Sequence, residues 1–301
     1  LPHQVNMPGY ENGIPNLSAD GSTLYFLSSR PGGFGGWDLW QVTVTPIVDF
    51  NADGIVDSID VCMMVDCWGT DEPLYDIAPS PFGDGIVDVQ DLVVLSEHLF
   101  EEVKDPTLIA QWALDETEGT VAYDSVGNND GYVLGDAIWQ PDGGQVDGAL
   151  WFDGVDDFIS APAILNPADP EMSSGFSVLV WIKGGSAGQA IMSETGGPDW
   201  LSLDPLTGCL MTNLKGSGRG ASPLLSQTII SDDNWHRISF VWDGLYRTLY
   251  VDGVAVAEDT QDDLQNPGSG FYIGCSDPMQ PSTFFSGMID DVRIYNRAVK
   301  P

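Results

Sequence analysis

The stretch "FSVLVWIK", residues 176–183, sorts its side chains into two sets. Phe176, Val178, Val180 and Ile182 share one face, and Ser177, Leu179, Trp181 and Lys183 share the other. Side chains of a β-strand alternate with a period of two, so this segment is a strand with one wholly apolar face to bury. The stretch "HRISFVWDG", residues 236–244, repeats the arrangement, with Ile238, Phe240 and Trp242 opposite Arg237, Ser239 and Val241. In "TLYVDGVAVA", residues 248–257, two short strands flank Asp252 and Gly253, a pair that favours a two-residue hairpin turn. From Pro106 onward, short apolar runs alternate with Gly, Asp, Asn and Pro, the texture of an all-β sandwich or barrel.

Five segments of that region, "LIAQWALDETEGTVAYDSVGNNDGYV" (108–133), "GALWFDGVDDFIS" (148–160), "DNWHRISFVWDG" (233–244), "LYVDG" (249–253) and "FSGMIDDVRIYNRAV" (285–299), stand in the order of a family's motifs. Residues 106–301 thereby resemble a laminin-G-like, concanavalin-A-like jelly roll. The resemblance implies a mostly non-catalytic domain that binds glycan or protein. It also implies a structural calcium with Asp124 and Asp290 as ligands and backbone carbonyls around Asn129 and Gly131 contributing. Asp291 falls on the other side of its strand and is expected at the surface. Retaining glucanases of this superfamily carry E-x-D-x-x-E on one strand, because acid and nucleophile stand about 5 to 5.5 Å apart. No Glu of this chain has Asp two residues later, and no Ser, Cys or His arrangement suggests an activated nucleophile, so no enzyme is expected. His236 stands in the family's strand entry, where packing is the usual role. The outward set offers a sugar-stacking plane, with Trp181 beside Lys183, Arg237 and Tyr250; simple coverage of the sheet is the alternative.

Ahead of this domain, "DFNADGIVDSID", residues 49–60, carries Asp or Asn at its first, third, fifth, ninth and twelfth places and Gly at the sixth. Oxygen side chains at this spacing converge on a hard cation, and the ion they suit is calcium. Asp49, Asn51, Asp53, Asp57 and Asp60 supply side chains, Ile55 a carbonyl, and Gly54 the turn. A helix from Ser58 to Trp68 is expected next, with Ile59, Cys62, Met63 and Val65 packed. The stretch "GDGIVDVQDLVVLSEHLF", residues 83–100, repeats the second half: Asp84, Asp88 and Asp91 match, Ile86 gives the carbonyl, and Val89, Leu92, Val93 and Leu99 have helical spacing. Residues 46–104 resemble a dockerin, whose loops read D-x-N-x-D-G-x-I/V-N/D-x-x-D. Counting back, the first and third places of the second loop fall on Ser80 and Phe82, which leaves Asp76, through a longer loop, as the substitute. The tenth and eleventh places, Ser58–Ile59 and Val89–Gln90, lack the Ser/Thr pair of a dockerin, which argues against docking to a cohesin.

Residues 15–44, "PNLSADGSTLYFLSSRPGGFGGWDLWQVTV", resemble one blade repeat of a TolB-type, WD-like β-propeller, with strand alternation at 24–28 and 37–44. One blade cannot close a propeller. The expected organisation is therefore mainly β and multidomain: a blade-like β segment at 1–45, a small helical EF-hand-type calcium module at 46–105, and the jelly roll at 106–301.

Composition narrows function. The chain of 301 residues carries 45 Asp plus Glu against 10 Lys plus Arg, a formal net charge of −35, which opposes nucleic acid and anionic lipid as partners. Residues 46–105 hold 15 acidic side chains and one basic, Lys104, so cations should relieve their repulsion. No apolar run reaches the roughly twenty residues a membrane span needs. The start at Leu1 without a signal peptide suggests a mature or truncated product. Cys62 and Cys67 bridge only if the helix ends before Cys67, and Cys209 and Cys275 are either a pair across the sandwich or buried thiols. The calcium loops point to an extracellular or cell-surface setting. Two functions are expected candidates: a calcium-stabilised adhesion protein that recognises glycan or a surface protein, and a structural subunit that polymerises with itself through its N-terminal strands.

Overall fold

A computed structural model describes residues 12–18, 23–30, 36–43, 48–51, 54–79, 83–100, 105, 107–165, 175–216, 222–261, 263–264, 270–299 and 301. The chain divides into two compact units, Leu1–Pro106 and Thr107–Pro301.

In the first unit, β1 (Asn12–Leu17), β2 (Thr23–Ser28) and β3 (Asp38–Thr43) form an antiparallel sheet in that order. Alternation sets its inner face: Leu24, Phe26 and Ser28 are buried, and the Arg30 guanidinium lies 4.8 Å from the Phe26 ring centre and 5.4 Å from that of Trp40. Sequence alternation had marked β2 and β3; β1 was missed because "NGIPNL" has no period-two pattern. Two short helices follow, α1 (Ser58–Asp66) and α2 (Val89–Glu97). Each opens with a reciprocal cap, Asp57 with Asp60 and Asp88 with Asp91. Their shared core is Val48, Phe50, Val56, Met64, Tyr75, Ile77, Val87 and Leu95, with Phe50 and Tyr75 edge to face at 4.8 Å. The expected helix faces are corrected here. Ile59, Cys62 and Val65 of α1 and Val89 and Val93 of α2 are exposed, because Met64 and Leu95 take the interior.

The second unit is a sandwich of strands β4 (Leu108–Trp112), β5 (Val121–Ala122), β6 (Gly131–Leu134), β7 (Ile138–Gln140), β8 (Ala149–Asp153), β9 (Phe158–Pro162), β10 (Phe176–Gly184), β11 (Ala190–Glu194), β12 (Asp199–Leu203), β13 (Cys209–Thr212), β14 (Leu224–Ile229), β15 (Trp235–Trp242), β16 (Tyr246–Val251), β17 (Val254–Thr260), β18 (Gly270–Ile273) and β19 (Ser286–Tyr295). The first eight-stranded sheet runs β17-β16-β15-β10-β19-β8-β7, with β4 also paired to β19. The second runs β14-β13-β12-β11-β18-β9-β6-β5. All pairings are antiparallel. Asp252 and Gly253, at φ 52° and 77°, make the expected turn between β16 and β17.

Aromatic rings lock the sheets together. Phe176 meets Phe240 at 5.5 Å within its own sheet and Trp200 of the second sheet at 5.1 Å, while Trp200 meets Phe271 edge to face at 4.8 Å. Each such contact adds about 0.5–1.5 kcal/mol beyond the area it buries. At one flank the wholly buried Arg247 on β16 donates to both oxygens of Asp259 on β17, at 2.5 and 2.7 Å, and to the carbonyls of Leu214 and Ser222. It thereby ties the segment after β13 to the first sheet.

Removing one partner of a buried ion pair strands the other. Asp259 keeps about a third of its side chain in water, so the lower end of the usual range applies. Arg247→Ala should destabilise the protein by about 3 kcal/mol, read as a lower urea midpoint by tryptophan fluorescence; an unchanged midpoint would show that the pair is energetically idle.

Candidate functional site

The two half-repeats between residues 48 and 91 are superimposable in their hydrogen bonds. In the first, Phe50 N–H donates to Asp60 at 2.7 Å, Asp57 N–H to the other Asp60 oxygen at 2.8 Å, and Gly54 N–H to Asp49 at 2.9 Å. In the second, Ile77 N–H donates to Asp91 at 2.7 Å, Asp88 N–H to its other oxygen at 2.7 Å, and Gly85 N–H to Asp76 at 2.7 Å. Asp76 thus stands where Asp49 stands, and Ala78, whose N–H donates to Asp91, stands where Asn51 stands. The assignment of Ser80 and Phe82 to the first and third places is corrected; both lie outside the described residues. The second loop is longer by four residues, and it folds Gly83, at φ 70°, so close to Asp76 that a Cβ there would meet the carboxylate at 2.1 Å. Ala78, at its third place, carries no side-chain oxygen.

Asp49, Asn51, Asp60, Asp76 and Asp91 are all buried, whereas Ile55, Ile86 and Asp84 are exposed and Asp57 and Asp88 are half-buried. Asp53 lies outside the described residues. Burying carboxylates in a segment with one basic residue is costly unless something positive answers them, and the donors seen are backbone N–H groups. Oδ1 of Asp60 and Oδ1 of Asp91 each accept two N–H groups, and a set made of carboxylate, amide and carbonyl oxygens is the kind a hard, oxygen-seeking cation takes.

In the sandwich the expected calcium ligands serve separate networks. Asp124 turns its carboxylate into its own loop and accepts from Gln111 N–H and Val126 N–H at 3.0 Å and from the Asn129 side chain at 2.7 Å. Burial raises its pKa, but these bonds outweigh burial and hold it below the ordinary value. The Asn129 carbonyl accepts from the Trp112 indole, and Gly131 begins β6. Asp290, wholly buried, accepts from Gln145 and Val146 N–H at 2.7 and 2.8 Å. Burial, followed by the nearby Asp291 and Asp115, lifts it to about 7. Asp291 is also buried, against expectation. A bulge between Asp290 and Val292, with Asp291 at φ 44°, breaks the period of two and turns its carboxylate to Gln111 and Arg293 at 2.8 and 2.9 Å. Spacing alone missed a third cluster: Asp136, Asp156 and Asp157 bring carboxylate oxygens within 4.8 Å of one another, and burial raises the pKa of Asp157.

The outward face of β10 is only partly open. Beyond β19 the chain crosses the start of β10, where Ser177 Oγ donates to the Arg297 carbonyl and accepts from Val299 N–H, both at 2.8 Å. It reaches the β16–β17 turn, with the Pro301 carbonyl 3.4 Å from where a Gly253 Cβ would stand. Ser177, Leu179, Ser239 and Val241, expected outward, are buried. Trp181 lies directly across from Arg237, and Lys183 across from Trp235; all four are half-buried. Tyr250, half-buried, pairs with Ser239, one pair along β15 from Arg237. His236 is not simply packed: Nδ1 meets Asp252 at 2.8 Å and Nε2 meets Asp232 at 3.0 Å. No disulfide joins Cys62, Cys67, Cys209 or Cys275, and burial pushes the Cys275 thiol up to about 12.

Residues 153–301 match the family model Laminin_G_3 of the concanavalin A-like lectin/glucanases superfamily, which supports the jelly roll over that stretch. No curated protein matches the sequence. Among solved structures, Domain 4 of AbnA, a GH43 extracellular arabinanase from Geobacillus stearothermophilus solved with arabinotriose, is 21% identical at a TM-score of 0.50, covering 64% of this chain and 94% of that one. The binding domain of Paraclostridial Mosquitocidal Protein 1 is 16% identical at a TM-score of 0.51, and the match covers 64% of this chain and 49%, about half, of that one. These likenesses establish the fold. No helix among the described residues is long and apolar enough to cross a membrane.

Burial opposes charge on His236, but its bonds to Asp252 and Asp232 prevail and raise its pKa above the ordinary value. The stability this contributes is complete below the unfolded-state pKa of about 6.5 and fades as pH rises through the folded-state value. The melting-temperature gap between the protein and His236→Gln should therefore be widest below about pH 6.5 and narrow above it. A gap that does not change with pH would mean His236 contributes by packing alone.

Proposed function

We propose that this is a non-catalytic, calcium-stabilised binding protein of the extracellular space or cell surface that recognises glycan or protein through its C-terminal sandwich. The carrying observation is Trp181, half-exposed on a central strand with Arg237 directly across from it and Lys183 one pair further along. A ring face held by a rigid strand beside hydrogen-bond donors suits the apolar face and hydroxyl rim of a sugar. The arabinanase domain of like fold was solved with an arabinose oligosaccharide, which supports glycan as the first ligand class to try. The absence of any Glu-x-Asp sequence argues against glucanase-type chemistry. On a glycan array, Trp181→Ala should abolish the binding shown by the unaltered protein; retained binding would move the site elsewhere.

Calcium belongs to this proposal through the first-unit loops. Asp49, Asn51, Asp57, Asp60 and the Ile55 carbonyl would hold an ion, with Asp53 completing the loop; Asp76, Asp84, Asp88, Asp91 and the Ile86 carbonyl would hold a second, more weakly for want of a third-place side-chain oxygen. Bound calcium would neutralise the segment and fix the two helices. By calorimetry, Asp49→Asn should lose the tighter of two binding phases, and the weaker one should be lost in Asp76→Asn. Identical isotherms in all three proteins would remove calcium from these loops.

A second reading, self-assembly by strand addition, is favoured by the outermost strands β1 and β3, which present Ile14 and Leu39 at 74% and 69% exposure. If it holds, deleting residues 1–45 lowers the mass seen by light scattering in calcium.

A further inference from the structure

We propose that the saccharide bound by the first large sheet is acidic and lies across the strands, along Trp151, Met288, Lys183 and Trp235. The proposal rests on the glycan reading above and extends it to a ligand class and a direction. Strand register makes the row. Trp151 of β8 pairs with Met288 of β19, Met288 with Lys183 of β10, and Lys183 with Trp235 of β15. Their strand neighbours Leu150, Phe152, Ile289 and Ile182 belong to the sandwich core, so alternation turns the row outward. Trp151 is 37% exposed, and the other three are half-buried. Neighbouring strands stand 4.7–4.9 Å apart, which separates the two indoles by about 14 Å. Trp181 and Arg237 form the adjacent pair on the same face.

Charge selects the ligand. In a chain with 45 Asp plus Glu against 10 Lys plus Arg, these six outward positions hold two cations and no carboxylate. Lys183 has no ion-pair or hydrogen-bond partner among the described residues. Carboxylates near this face are held in bonds: Asp290 is wholly buried and accepts from Gln145 and Val146 N–H, Asp153 accepts from Val155 N–H at 2.7 Å, and Asp252 accepts from Arg237 N–H at 2.9 Å. Two ring planes flanking a cation suit a sugar chain with an anionic substituent at its middle. The ring faces supply sequence-tolerant stacking, while the ammonium supplies the preference for charge. Uronate, sialate and sulfate esters share this chemistry.

The test is an array of uronate-bearing, sialylated and sulfated oligosaccharides beside their neutral counterparts, probed with the full chain and with Trp151→Ala, Trp235→Ala, Lys183→Gln and Trp181→Ala. The expected result is a preference for one acidic class over its neutral counterpart. Each outer Trp variant should lose about tenfold in affinity, the equivalent of one aromatic contact. Lys183→Gln should keep binding but lose the acidic preference, a readout that general destabilisation would not give. Equal binding of acidic and neutral forms overturns the proposal. So does full binding by Trp151→Ala and Trp235→Ala while Trp181→Ala is silent, an outcome that leaves the glycan reading standing. If the unaltered protein binds no saccharide, both fail together.

Discussion

Aspartate carboxylates that accept backbone N–H bonds hold this protein's loops in place. Asp60 gathers Phe50 and Asp57, Asp91 gathers Ile77 and Asp88, Asp157 gathers Asp136 and Asp153, and Asp290 gathers Gln145 and Val146. An ionised acceptor makes the stronger kind of hydrogen bond, and a loop amide drawn inward must find some acceptor. The device has an electrostatic limit. Where enough donors converge, as at Asp124, the acid is strengthened; where burial and other carboxylates dominate, as at Asp157 and Asp290, it is weakened. A chain with 45 Asp plus Glu against 10 Lys plus Arg thus uses backbone N–H groups to answer the carboxylates it buries in these loops.

The same device explains what the sequence could and could not disclose. Strands whose two faces differ, such as β10 and β15, were legible from alternation, and the Asp252–Gly253 turn from its dipeptide. Aspartates in loops were ambiguous, since a residue spaced to ligate an ion is also spaced to accept N–H groups. Asp124 and Asp290, expected as ligands of one ion, each also accept N–H bonds from a loop, Asp124 from Val126 and Asp290 from Gln145 and Val146. The offset of Asp76 was offered as a substitute and needed hydrogen bonds to fix, because counting residues cannot reveal a four-residue insertion. At Asp291 a bulge reversed the expected side, since period-two reasoning assumes an unbroken ladder.

The candidate face shows a further limit. Trp181, Lys183 and Arg237 were readable as outward because each belongs to an alternating strand. Trp151 and Met288 were not, since their place beside Lys183 depends on pairings between strands far apart in sequence. Cover was equally hidden: Ser177 looks exposed until Arg297 and Val299 are seen to bond its hydroxyl. Register and cover are both long-range, and together they decide which half of the sheet meets solvent.

The sandwich begins and ends on neighbouring strands: Leu108 of β4 pairs with Tyr295 of β19, and Asn296 N–H donates to the Thr107 carbonyl at 2.9 Å. A pull applied through these two points loads the ladder from one end. Its bonds then part in succession, like a zipper, rather than sharing the load in shear. A pull at these two points would thus peel β4 away, while β10, on the other side of β19, keeps the central sheet joined.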